Sequence, residues 1–71
     1  MVPVTDKLDV RFSLDLEKVT IYYKGKMLKT LLLDTIMRHF TDWEIRGVHL
    51  TYNEVRELKK IIRRRLLHGH F

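Results

Sequence analysis

Cysteine, alanine and glutamine are absent from this chain, and asparagine occurs only as Asn53. Without cysteine there is no disulfide and no thiolate metal ligand, which suits a reducing compartment. Glycine occurs only at positions 25, 47 and 69, too scattered for a loop that cradles phosphates. No apolar run exceeds Leu31-Leu32-Leu33, far short of the ~20 residues a membrane-spanning helix needs. The segment from Met1 to Lys7 has no basic stretch leading into an apolar one, so neither secretion nor membrane insertion is expected, and the predicted location is cytoplasmic. Scarce heat-labile amides together with 32% charged residues match the composition of hyperthermophile proteins, in which ion desolvation costs less.

What is present must fit in 71 residues, enough for one domain (1–71) that buries roughly 60% of the surface its unfolded chain exposes. Such a core leaves little room for an enclosed substrate cavity. It supplies only about 3–5 kcal/mol of stability, so chains of this size commonly borrow stability from a staple or a partner. The formal net charge is +5, unevenly spread. Residues 1–50 carry a net +1 and residues 51–71 a net +4, so an acidic partner should be met at the C-terminal third.

The hydropathy pattern predicts an α+β fold. Leu8, Val10, Phe12, Leu14 and Leu16 alternate with Asp9, Arg11, Ser13 and Asp15, the period of a half-buried strand over 8–16. Val19-Thr20-Ile21-Tyr22-Tyr23 is β-branched and aromatic, and Lys24-Gly25-Lys26 supplies a turn, giving an N-terminal β-hairpin or short meander over about 8–29. Residues 27–41 fit both periods; the expectation is a short strand near 27–29 and a helix over about 31–40. Trp43 to Arg46 alternates like an edge strand before Gly47, leaving 42–50 as loop or short strand. Thr51-Tyr52-Asn53-Glu54 is a capping box with Leu50 and Val55 as its hydrophobic staple. It opens a helix over about 52–68 with an apolar stripe of Val55, Leu58, Ile61, Ile62 and Leu66, ended by Gly69. Arg56, Lys59, Lys60, Arg63, Arg64 and Arg65 cover the rest of that helix as a basic surface.

Reactive chemistry is sparse. His68-Gly69-His70 is the only close histidine pair and lacks the further ligands a metal site needs. Ser13 has no neighbouring base or nucleophile-elbow sequence. Asp9 and Asp15 are ~20 Å apart at strand rise, too far for a carboxylate pair. No catalytic residue, metal or cofactor is expected, and the chain reads as a binding protein rather than an enzyme.

Two classes of partner fit. One is nucleic acid, with the cations of the last helix on phosphates and Trp43, Tyr22 and Tyr23 stacking on bases. Solvation and the helix dipole account for the same cations without any ligand, and no helix-turn-helix, zinc-finger or RNP signature accompanies them. The other is a protein groove that accepts aliphatic and aromatic anchors. Partners of the sliding clamp PCNA carry Gln-x-x-aliphatic-x-x-aromatic-aromatic. Degenerate versions without the Gln run from Leu33 through Ile36 to His39-Phe40, and from Arg64 through Leu67 to His70-Phe71. Ile36 and Phe40 also read simply as core residues. With its small size, hyperthermophile-like composition and lack of a standard clamp motif, the chain resembles the small PCNA inhibitors of hyperthermophilic archaea. That resemblance implies occupation of the clamp's peptide groove by a non-standard segment, extension by the helix over 52–68, and disturbance of the ring. Its anchors would be Leu67, His70 and Phe71, or Ile36, His39 and Phe40. A homodimer formed through the stripe of the last helix is a third reading.

Overall fold

The computed structural model describes residues 1–68. The fold is α+β: an antiparallel four-stranded sheet, a short helix, a separate hairpin and a long C-terminal helix. In chain order the elements are β1 (Val2–Pro3), β2 (Leu8–Phe12), β3 (Lys18–Tyr23), β4 (Lys26–Leu32), α1 (Leu33–Met37), β5 (Trp43–Ile45), β6 (Val48–Leu50) and α2 (Tyr52–His68). The sheet is a meander in the order β1-β2-β3-β4, and among the described residues β5 pairs only with β6.

Register explains which face is buried. Val10 sits opposite Ile21, Leu8 opposite Tyr23 and Phe12 opposite Val19, so the apolar set of each strand falls on one side of the pleat. Leu8, Val10, Val19 and Ile21 are fully buried and form one cluster with Leu28, Leu33, Ile36, Ile45, Leu50, Val55, Leu58 and Ile62. A single core thus joins the sheet, both helices and the small hairpin. On the opposite face Thr20 and Thr30 share a cross-strand hydrogen bond of 2.8 Å between hydroxyls.

Strand β2 stops at Phe12, although the alternation continues to Leu16. The reason is local side-chain bonding. The Ser13 hydroxyl donates to Asp15 Oδ1 (2.6 Å) and accepts from the Lys18 amide (3.0 Å), while Asp15 Oδ1 also accepts from the Glu17 amide (3.1 Å). Serine and aspartate used this way offer the backbone an alternative to the ladder. Leu14 is consequently exposed rather than inward, and Leu16 takes a positive φ of 59°. The hydrogen bond from Ser13, then that from the Glu17 amide, holds the Asp15 carboxyl below its ordinary value of 3.8.

The two hairpin turns are built alike. Lys24 (φ 52°) and Gly25 (φ 81°) join β3 to β4, and Arg46 (φ 49°) and Gly47 (φ 83°) join β5 to β6. Two successive positive φ angles match the strand twist, and glycine bears the second without a Cβ penalty.

Residues 31 and 32, expected to be helical, belong to β4, and α1 is only five residues long. Pairing of β4 with β3 as far as Lys18↔Leu32 settles the competition between the two periods. At its other end α1 tightens: the Arg38 amide donates to the Thr35 carbonyl and the His39 amide to that of Ile36, which carries residues 39–40 off the helix axis.

Helix α2 begins as its sequence demands. The Glu54 amide donates to Thr51 Oγ1 (3.2 Å) and the Thr51 amide to Glu54 Oε1 (3.0 Å), the reciprocal capping box. Leu50 and Val55 are both buried. Among the described residues no helix is long and apolar enough to cross a membrane.

Candidate functional site

Helices α1 and α2 are in contact, and two clefts beside α2, one lined by residues that follow α1 and one by α1 itself, are together termed the furrow. Its borders on α2 are Tyr52, Val55, Arg56, Lys59, Arg63 and Leu66, spaced at three to four residues and therefore on one stripe of the helix. The end nearer the start of α2 is cationic and aromatic: a cleft of about 220 Å³ lined by His39, Phe40, Tyr52, Arg56, Lys59 and Arg63. The other end is more aliphatic: a cleft of about 370 Å³ lined by Leu16, Leu32, Leu33, Met37 and Leu66 together with the carboxylates Glu17 and Asp34.

The cationic end is organised by Lys59. A lysine here is unexpected inside, yet it is only 7% exposed. Its aliphatic stem covers apolar surface while its ammonium reaches out at the tip. That ammonium donates to the His39 carbonyl at 2.8 Å and lies 4.1 Å from the centroid of the Phe40 ring. The His39 ring stacks on Trp43, with centroids 3.8 Å apart and planes at 19°. Residues 39–40 are thus fixed against both α2 and β5, and Phe40 is held out into solvent at 72% exposure. Arg56 donates to Asn53 Oδ1 at 2.7 Å and lies 3.9 Å from the Glu57 carboxylate, which pairs more closely with Lys60 at 3.2 Å. Arg63 makes no hydrogen bond or ion pair with any described residue.

Leucines at this cleft and elsewhere on the molecule are exposed. Leu32 and Leu66 are half exposed, Leu67 is 72% exposed, and Leu14 projects fully from the turn after β2. Scattered single leucines on a surface need no explanation, but several bordering one cleft mark a place where another apolar surface can dock.

The sequence-based site residues separate clearly. Ile36 is fully buried in the core, so the segment from Leu33 to Phe40 cannot offer Ile36, His39 and Phe40 together to a partner's pocket without unfolding α1. Phe40, which also read as core, is exposed, and His39 is half-buried against Trp43. Leu67 is freely presented, whereas its companion anchors His70 and Phe71, together with Gly69, lie outside the described residues. Of the basic surface, Arg56, Lys60, Arg63, Arg64 and Arg65 are exposed and Lys59 is buried. Arg65 lies over the Phe12 ring at 5.3 Å, on the far side from the furrow. The stripe proposed for a homodimer is largely consumed within the chain, because Val55, Leu58 and Ile62 are in the core. Tyr52 had no sequence signal beyond its place in the capping box. Among the described residues no group of three His, Cys, Asp or Glu side chains is placed to hold a metal ion, and the Ser13 hydroxyl is spent on its turn.

No family model, curated protein or solved structure matches this chain.

Proposed function

We propose that the protein is a non-catalytic cytoplasmic regulator that binds another protein, and that its partner is the archaeal sliding clamp PCNA, which it inhibits. The observation that carries this reading is the exposed aliphatic end of the furrow, where Leu32, Leu33, Met37 and Leu66 border one cleft and Leu67 follows at 72% exposure. A clamp groove takes aliphatic and aromatic anchors presented on a helical turn, and α2 delivers Leu67 at its end, leading into His70 and Phe71. Arg64 and Arg65, which precede Leu66 and Leu67 on α2, are exposed cations outside the aliphatic cleft, suited to steering toward an acidic surface. The segment from Leu33 to Phe40 drops out as the groove-filling element because Ile36 is committed to the core.

Competition tests the groove. A labelled peptide carrying the standard clamp-binding sequence, bound to purified archaeal PCNA, should be displaced by this protein and its anisotropy should fall to that of free peptide. Retention of the peptide at saturating protein would place the binding surface elsewhere.

A further inference from the structure

The aliphatic surface leaves the cationic end of the furrow unused. Three features there call for a ligand of one kind. Lys59 carries a charge at 7% exposure, and among the described residues no carboxylate lies within ion-pair distance of it. Burying an ammonium is costly unless it is paired, and a single carbonyl and one aromatic face leave donor capacity on a group that has three N–H bonds. Arg56 and Arg63 flank it one turn away on either side and line the same cleft, and Arg63 has no described partner. Beside these three cations two exposed aromatic rings, Phe40 and Tyr52, line the cleft. An exposed phenylalanine fixed by the Lys59 contact and by the His39–Trp43 stack behind it has no evident role in folding.

Cations beside pre-positioned, solvent-facing rings form the combination that holds single-stranded nucleic acid, in which phosphates meet the charges and unstacked bases lie on the aromatic faces. A duplex offers phosphates but keeps its bases stacked and out of reach of Phe40. An acidic peptide would use the charges but not the rings.

We propose that this cleft is a binding site for single-stranded nucleic acid, with a phosphate seated at Lys59 between Arg56 and Arg63 and a neighbouring base stacked on Phe40. The site differs in residues from those proposed to contact the clamp, and neither assignment requires the other.

The test is fluorescence anisotropy of a labelled oligothymidylate with the whole protein, run across a salt series beside a duplex of the same length. Binding should favour the single strand, and its affinity should fall with salt with a logarithmic slope of roughly −0.7 for each phosphate neutralised. Arg63→Glu should weaken binding by about tenfold or more. Phe40→Ala should weaken it by roughly fivefold to a hundredfold, the range for loss of one base stack, and Phe40→Trp should restore it and report contact by quenching of the new indole. Arg64→Glu, a charge change on the same helix outside this cleft, should cost clearly less than Arg63→Glu. Circular dichroism confirms that each variant is folded. Equal losses for Arg63→Glu and Arg64→Glu, with Phe40→Ala unchanged, would mean diffuse attraction to a basic helix and would overturn the site. Equal affinity for duplex, or no binding at low salt, would overturn it too.

Discussion

Leu58→Ala is expected to remove most of the stability of this fold. Leu58 has no exposed surface and lies in the one cluster that joins α2 to β2, β3, α1 and the β5–β6 hairpin. Truncating a fully buried leucine costs about 2–5 kcal/mol, the lost transfer energy plus the cavity left behind. A domain of this size has about 3–5 kcal/mol from its core in the ordinary case. The variant should therefore be largely unfolded at room temperature. If added stability keeps it folded, its melting midpoint should fall by roughly 10–40 °C, at 4–8 °C per kcal/mol for so short a chain. Leu14→Ala is the matched control, because Leu14 is fully exposed and a surface truncation should stay within about 0.5 kcal/mol. Thermal melts followed by circular dichroism distinguish the two. Similar midpoints for both variants would mean that α2 is not seated on the sheet through Leu58.

The second large effect concerns binding. Replacing both Leu66 and Leu67 by alanine should weaken association with the clamp by roughly 30-fold or more, since a single buried hot-spot side chain contributes about 2 kcal/mol or more and 1.4 kcal/mol is a factor of ten. Both side chains are exposed in the free protein, at 44% and 72%. Their truncation should leave the melting midpoint nearly unchanged, so loss of affinity cannot be ascribed to unfolding. Titration calorimetry with purified archaeal PCNA reads the change directly. An unaltered dissociation constant would remove the aliphatic end of the furrow from the interface.

Where the sequence could be read correctly, local and distant forces agreed. The alternation of Leu8 to Phe12, the β-branched run of β3, the glycine in the first turn and the Thr51–Glu54 box each name one structure, and the tertiary contacts reinforce it. Where they competed, the outcome depended on contacts that no window of sequence contains. Leu14 and Leu16 continue the strand pattern, yet the hydrogen bonds of Ser13 and Asp15 bend the chain away. Leu31 to Leu33 satisfy strand and helix alike, and only pairing with β3 assigns the first two to β4. Arg46-Gly47 is a weaker turn signal than Asn-Gly, so the β5–β6 hairpin was visible only as an alternation meeting a glycine.

The site was harder to see for a related reason. Function here depends on which surface residues end up beside one another, and helical spacing alone cannot say what lies opposite a helix. Lys59 belongs to the polar set of α2 by pattern, yet it is buried, and its ammonium meets the His39 carbonyl and the Phe40 ring, which no helical spacing foretells. Ile36 and Phe40 are one helical turn apart and equally apolar, yet the tightening after Met37 sends one into the core and the other into solvent. Leu66 reads as one stripe with Val55, Leu58 and Ile62, yet it is 44% exposed where those three are buried.

The central claim is that this protein works by holding another protein rather than by chemistry of its own. Gel filtration with light scattering, using purified archaeal PCNA and nuclease-treated protein at moderate salt, tests it most directly. A complex should appear whose mass exceeds that of the clamp species it contains, and it should survive salt that strips purely electrostatic contacts. Separate elution of the two proteins across all salt concentrations would contradict the assignment.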